Sequence, residues 1–578
     1  MPPDGACPGL CGPCTYDVPA RGPGLPIACM AHGFDPSPLS PPFLQSHPSF
    51  VAAAAPRQAP TVVAHGAALA VALPFLFAVT DAPIANFWPV VASWVCVAAL
   101  LLVAALWPAG RAFWAGALVR GLVLAALVAT GIGLVQYFAG DVGLSPWIYG
   151  STPGQAIGNL RQRNQQATLM ALGAWALLWW LQQRRARDGL GQDRFGRSPP
   201  ALVAACGLGI CTLAVGAAAT ASRTGALQWL LLPALLVLWY RLPGRAALGV
   251  ALLGLATLAL AAVALPELLW HVQGVRTEAL FERFAGDVQA CTSRGALWAN
   301  MLTLIGERPW LGWGWGELGY SHYVTLFPGT RFCALLDNAH NLPLHLAAEL
   351  GLPTVIVLVA CVAAWCARAR PWRERVPARQ LAWGVLLMVG LHSLLEYPLW
   401  YGPFQLVCLV SVALLLVPAQ ATGPEGAAPG PGLVAGMAAV VAAVVVLAVC
   451  AVAAWDYHRI SQLYKPAGER VAAHRQDPQA SVRSSLLFGP QREFAVLTTL
   501  PLTPESASRV HALALRVLHY SPEPRVIERL IESAALLGRH DEVAFHTLRY
   551  RLAYPEEFER WRLPSPAAPA GLLPAPGS

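Results

Sequence analysis

The chain has 578 residues, of which 56% are hydrophobic and only 12% charged, with a mean hydropathy of +0.50. That is too apolar for a soluble globular protein of this length and describes a polytopic membrane protein. The net charge of +8 is modest and reads as membrane orientation, so no nucleic-acid partner is expected.

Residues 1–60 are rich in proline, glycine and alanine and lack the charged start, apolar stretch and cleavage site of a signal peptide. Disorder is expected there, or an overextended start of the reading frame. Cys7, Cys11, Cys14 and Cys29 have a spacing faintly like a metal knuckle. No second CxxC pair completes it, and no metal site is expected.

A helix needs about 20 apolar residues to cross the hydrocarbon core. About eleven runs qualify: 61–80, 87–107, 114–137, 166–181, 201–220, 226–239, 246–269, 342–367, 381–395, 403–417 and 433–454. The expected organisation is therefore transmembrane helices 1–7 within 61–270, a large loop over 271–340, helices 8–11 within 341–455, and a tail over 456–578. Arginines crowd the even-numbered loops, at Arg111, at Arg184 to Arg197, at Arg241 and Arg245, and at Arg368 to Arg379. Positively charged short loops stay in the cytoplasm, so the N-terminus is predicted inside and the odd loops and C-terminal tail outside. Cys291 and Cys333 are the only cysteines of the large seventh loop. Outside the cytoplasm they are predicted to pair as a disulfide, whereas the cysteines within spans read as small packing residues.

Five polar stretches interrupt this pattern: "GNLRQRNQQAT" (158–168), "SRTG" (222–225), "CTSRGALW" (291–298), "DNAHNLPLH" (337–345) and "HSLLEYPLWY" (392–401). On the predicted topology all five reach the outer interface. Interfacial anchoring by Arg and Tyr would explain any one of them. It explains the set poorly, because Gln162, Asn164, Arg223, Arg294, His340, Glu396 and Tyr397 come from separate segments yet share one level. Polar groups at that depth line a bundle interior or a wet cavity. Arginines present a fork of donors that matches phosphate oxygens, and a histidine can take a proton from a hydroxyl at neutral pH. Together they fit transfer of a group from a lipid pyrophosphate to an alcohol. The chain has no DxD, HExxH, GxxxxGK[ST] or GxSxG, so metal-assisted transfer, zinc proteolysis and nucleotide hydrolysis lose support. A lipid-linked glycan transporter is the non-enzyme reading; its site would lie nearer the midplane.

The stretches "GNLRQRNQQAT", "DNAHNLPLHLAAELG" and "HSLLEYPLWY" resemble those of the PglL-type protein O-oligosaccharyltransferases, within the superfamily of O-antigen ligases and O-antigen polymerases. "SRTGAL" and "SRGALWANMLTLIGERPWLGWGWG" are similar as well, so the likeness runs from Gly158 to Tyr401. The resemblance implies an all-α, GT-C-like glycosyltransferase of the bacterial inner membrane, with its active site and a small helical C-terminal domain facing the periplasm. It further implies an undecaprenyl-pyrophosphate-linked glycan as donor, a serine or threonine of pilin or another exported protein as acceptor, and no metal or other cofactor. His340 matches the superfamily's essential histidine, Arg223 and Arg294 its pyrophosphate-binding arginines, and Gln162 and Tyr397 its glutamine and tyrosine signatures. Asn164, Asn341 and Glu396 are expected to position substrate beside them. "QRN" replaces the more frequent "QPN", which makes Arg163 a further candidate phosphate ligand. Nearer alternatives are an O-antigen ligase acting on lipid A core and an O-antigen polymerase.

In the tail, Thr503, Pro504 and Glu505 read as an N-cap, a first-position proline and a first-turn acid. They are predicted to open paired amphipathic helices through about Arg562. Such a domain would hold the acceptor protein or cap the active site.

Overall fold

The computed structural model describes residues 60–107, 110–187, 200–240, 244–278, 280, 290–416 and 433–563. The expectations for residues 1–59, including the four cysteines, lie outside the described residues. Seven helices come first: α1 (Thr61–Leu76), α2 (Phe87–Leu106), α3 (Arg111–Ala139), α4 (Arg163–Arg187), α5 (Pro200–Ala219), α6 (Arg223–Trp239) and α7 (Arg245–Gln273). The large loop holds α8 (Arg294–Glu307) and α9 (Leu318–Val324). There follow α10 (Leu342–Leu350), α11 (Leu352–Ala369), α12 (Pro377–Ser393), α13 (Gly402–Leu416) and α14 (Leu433–Ser461). The tail forms α15 (Gly489–Thr499), α16 (Ala507–Tyr520), α17 (Pro524–Leu536), α18 (His540–Ala553) and α19 (Pro555–Arg562). Among the described residues there is no strand.

Six helices, α2, α3, α5, α7, α11 and α14, are long and apolar enough to cross a membrane, and α1, α6 and α13 are shorter apolar helices. The chain is thus a multi-pass membrane protein. α4 sits inside the bundle against α3, α5, α6 and α12, and its Leu169, Leu172, Trp175 and Leu178 are fully buried. Between apolar helices in lipid the hydrophobic effect supplies no net drive, so close packing at small residues and hydrogen bonds must supply it. Gly173 of α4 lies where an added Cβ would strike Ala126 of α3, and Gly384 of α12 where one would strike the Trp175 indole. Trp175 also donates to the Leu381 carbonyl at 3.2 Å.

The eighth predicted span is not continuous. It breaks at Gly351, whose φ of +82° and ψ of +161° suit glycine and penalise any residue with a Cβ. The broken turn is completed by the large loop. Leu352 N–H donates to the Pro309 carbonyl at 2.8 Å, Trp313 N–H to Ala348 at 2.8 Å and Gly314 N–H to Glu349 at 3.0 Å. α11 is left as the long apolar piece, with little of it buried in the protein. The predicted N-cap at Thr503 is also displaced: the helix begins at Ala507. Thr503 and Ser506 instead close their own turn, Thr503 N–H donating to Ser506 Oγ at 2.9 Å and Ser506 Oγ–H to the Pro501 carbonyl at 2.8 Å. Short hydroxyl side chains compete in this way with helix initiation.

Two small cores extend the bundle at one end. Leu297, Met301 and Leu304 of α8 share one with Leu336, Ala339, Ala347 and Ala348, so the loop core continues past residue 340 into α10. Tyr323 of α9 joins the other, with Leu513 and Val517 of α16 and Ile527 and Leu530 of α17. There Tyr320 stacks on His519 at 3.8 Å and Glu317 reaches His519 Nδ1 at 2.8 Å.

Cys291 and Cys333 are paired in a disulfide, with their Cα atoms 5.3 Å apart and a separation of 42 positions in sequence. Closing a loop of that length restricts the unfolded chain by an entropy worth about 4 kcal/mol in the chain-entropy picture. Protein with Cys291→Ser and Cys333→Ser is expected to lose protease resistance in the large loop, as limited proteolysis with peptide mapping would record. Unchanged protection would remove the brace from the loop's stability.

Candidate active site

Glu396 is the centre to which the polar stretches converge. It lies in the turn between α12 and α13, and its side chain is only 4% exposed. A carboxylate is acceptor-only and costly to bury unless its lone pairs are met. Here Oε2 faces His340 Nδ1 at 2.7 Å. Oε1 accepts from Asn164 Nδ2 at 2.7 Å and is ion-paired with Arg294 Nη2. Burial pushes its pKa up, but the hydrogen bond from His340 and the charges of His340 and Arg294 outweigh this and hold it below the usual carboxylate range. A depressed carboxylate pKa stabilises the fold fully above the ordinary value of about 4.3. That contribution is lost as pH falls through the lower folded value.

His340 is placed by an unusual backbone. Its φ is +49°, a left-handed conformation that costs a residue with a Cβ on the order of 1 kcal/mol. It is held there because His340 N–H donates to Asn338 Oδ1 at 2.8 Å and the Trp298 indole donates to the Ala339 carbonyl at 3.2 Å. Asn341 then caps α10, its Oδ1 accepting from Leu344 N–H at 3.0 Å while its Nδ2 donates to the Leu394 carbonyl at 3.0 Å. One asparagine thereby ties the histidine turn to the glutamate turn. With Nδ1–H directed at Glu396, the other ring nitrogen, Nε2, is the basic one. The Tyr397 ring meets the imidazole edge to face at 5.1 Å, and burial raises its hydroxyl pKa, so it stays a donor at neutral pH.

The remaining predicted residues are arranged around this cluster. Asn164 Oδ1 accepts from the Ser222 hydroxyl at 2.6 Å. Ser222 caps α6 through Gly225 N–H at 3.0 Å, and Arg223, the first residue of α6, follows it in the chain. Gln162 is turned to the backbone, its Oε1 accepting from Gln165 N–H at 2.8 Å. Arg163 is the first residue of α4 and makes no hydrogen bond or ion pair within the cluster. Arg294, expected as a phosphate ligand, spends one of its five donors on Glu396 and keeps others in its planar fork.

Sequence reasoning passed over several participants. Ser222 stood inside "SRTG" with the N-cap signature of a serine before a helix. Arg161 straps the site to the first loop, donating to the Ala85 carbonyl at 2.8 Å and Asn86 Oδ1 at 3.0 Å. Beneath the glutamate, His392 is fully buried, its Nδ1 2.8 Å from Thr168 Oγ, which in turn meets Gln228 at 3.0 Å. Thr168 and His392 sit at the ends of two of the polar stretches, but nothing local in the sequence shows that they meet each other or Gln228.

The fold and the cluster define a multi-pass, all-helical membrane protein with a histidine–glutamate–arginine centre at one end of its bundle. The segments that build this centre match known families. A protein glycosylation ligase family matches residues 156–181, the O-antigen ligase family residues 208–359, and a family described as the C-terminal part of a virulence factor membrane-bound polymerase residues 380–567. The General O-oligosaccharyltransferase of Acinetobacter baylyi is 27% identical over 151 residues, 26% of this chain. The matched region spans 25% of that relative's length. Over these segments the chain is similar to the O-antigen ligase superfamily and to its PglL-type protein glycosylation ligases.

Proposed function

We propose that this protein transfers an oligosaccharide en bloc from undecaprenyl pyrophosphate to serine or threonine hydroxyls of pilin or another exported protein. The observation that carries this reading is His340 held by Glu396 at 2.7 Å, with Arg294 on the same carboxylate. A carboxylate behind an imidazole fixes its tautomer and stabilises the imidazolium formed on proton uptake, which is what a base for an alcohol nucleophile needs. Arg223 and the remaining donors of Arg294 bind the pyrophosphate and neutralise its charge as the bond to the sugar breaks. His340 Nε2 takes the acceptor hydroxyl proton, the hydroxyl oxygen forms the new bond to the anomeric carbon, and the lipid pyrophosphate departs with the electron pair. Tyr397 and Gln162 position donor and acceptor, and Arg163 contributes a further cation to the phosphate. No metal takes part in this scheme.

The donor names the compartment. Eleven crossings with a cytoplasmic N-terminus put the cluster, the large loop and the C-terminal domain at the periplasmic face of the inner membrane. A reporter fused after Arg187 is then active only in the cytoplasm and one fused after Arg470 only outside. Activity of both on one side would break the topology.

The assay combines purified protein, undecaprenyl-pyrophosphate glycan and an acceptor peptide, with and without a chelator. Transfer that survives chelation supports the scheme, and its complete loss would overturn the metal-free mechanism. The second reading, an O-antigen ligase or polymerase, draws support from the matches over 208–359 and 380–567. Product on lipid A core or on a second lipid-linked glycan, with none on peptide, would favour it. The C-terminal helices fit a platform for the acceptor.

A further inference from the structure

At the end of the bundle opposite the candidate active site, a cleft of about 880 Å³ opens between α3, α4 and the start of α12. Its α3 wall runs from Arg111 to Leu127; from Gly116, over which the Arg120 guanidinium lies, to Leu127 it measures about 16 Å at 1.5 Å per residue. That is close to the depth of one leaflet's acyl chains, about 15 Å or half of the roughly 30 Å hydrocarbon core. The deeper wall is apolar, with Leu124 and Leu127 exposed to the cleft region.

The mouth is cationic. Arg120 and Arg184 both line the cleft and are exposed, and α3, α4 and α12 contain no acidic residue. Neither arginine has a carboxylate partner among the described residues. Arg120 makes only a long contact, 3.5 Å, with the Ala64 carbonyl. Its guanidinium lies over Gly116, where an added Cβ would come within 3.2 Å of Nη1. Arg184 rests over the Trp180 ring at 5.2 Å, which directs its head along the cleft wall. An arginine nine residues into an apolar span is costly unless it finds a counter-charge or turns to the interface. Here the counter-charge must come from outside these helices.

We propose that this cleft binds one anionic phospholipid, its phosphate between Arg120 and Arg184 and an acyl chain along the α3 wall. A basic recess between transmembrane helices is the arrangement that takes anionic headgroups, and the apolar groove below excludes a bare inorganic anion as the favoured ligand. The site is separate from the glycan-transfer centre, and its occupancy stabilises the α3–α4 pair at the end where the active site is not.

The test uses the full-length protein in nanodiscs and in detergent, with native mass spectrometry as readout. Wild type is expected to retain phosphatidylglycerol in preference to phosphatidylcholine of the same chains. The Arg120→Gln/Arg184→Gln double variant is expected to lose that preference by about 30-fold, from about fivefold per arginine at an anionic lipid surface. Leu124→Trp, which fills the groove and keeps both charges, is expected to weaken retention as well, so misfolding of the charge variant alone cannot imitate the result. Equal preference in wild type and double variant would overturn the proposal. So would retention of inorganic phosphate as strong as that of the lipid, or retention of polyprenyl phosphate ahead of phosphatidylglycerol.

Discussion

His340→Ala should cut glycan transfer to about 1% of wild type or less, since a positioned general base contributes about 10²- to 10⁴-fold. The imidazole is the group whose free Nε2 faces away from Glu396, and no neighbouring side chain can replace it: Asn341 is engaged as the cap of α10, and Tyr397 has its hydroxyl pKa raised by burial. The alanine protein should still insert and still retain lipid-linked donor, because neither Arg223 nor Arg294 is altered. Single-turnover transfer to an acceptor peptide, measured beside donor binding, separates the two. Wild-type turnover in His340→Ala would sink the base assignment. Loss of donor binding in step with activity would instead make His340 a structural residue.

Glu396→Gln is the second large effect, and it tests the arrangement rather than the base itself. The amide keeps the shape but carries no charge, so the imidazolium formed during transfer loses its counter-ion and Nδ1 loses its unambiguous acceptor. Where a carboxylate backs a catalytic histidine, the amide costs up to about 10⁴ in turnover; a loss of at least about 10² is expected here. The change should fall on kcat with KM little altered, a split that a merely structural role would not produce. Glu396→Ala should differ in kind. It removes the buried carboxylate that His340, Asn164 and Arg294 all contact. Because Arg294 is 29% exposed and can turn to solvent, the cost stays below the about 3–5 kcal/mol of breaking a fully buried pair, and thermal stability should drop modestly along with activity. A Glu396→Gln protein with unchanged turnover would remove the carboxylate from the mechanism.

The contrast between residues 158–168 and residues 337–345 explains how much of this was legible. In both stretches the polar residues stand out because their surroundings are apolar, and that signal is local. His340, Asn164, Arg294 and Glu396 could each be singled out by type and by level. Their mutual roles could not, because Glu396 is 56 residues from His340, 102 from Arg294 and 232 from Asn164. The sequence assigns Glu396 to substrate positioning; the structure shows it joined to the histidine and an arginine. The His392–Thr168–Gln228 chain beneath it was missed for the same reason: its members lie on three helices, and one-dimensional periodicity carries no record of which faces meet.

Composition, the runs of about 20 apolar residues and the placement of arginines were sufficient to establish a multi-pass helical membrane protein and to name most of its helices. These are properties of each segment's own transfer to lipid, which depends on its residues and little on its neighbours. The tertiary structure decided where a span breaks and which charges pair. The apolar run at 342–367 reads as one helix, yet Gly351 opens it because loop residues 309–314 supply the backbone hydrogen bonds that a continuous helix would have made for itself. A buried carboxylate likewise persists only where donors from distant segments meet its lone pairs, and that condition is set by the packing of helices rather than by any stretch of sequence.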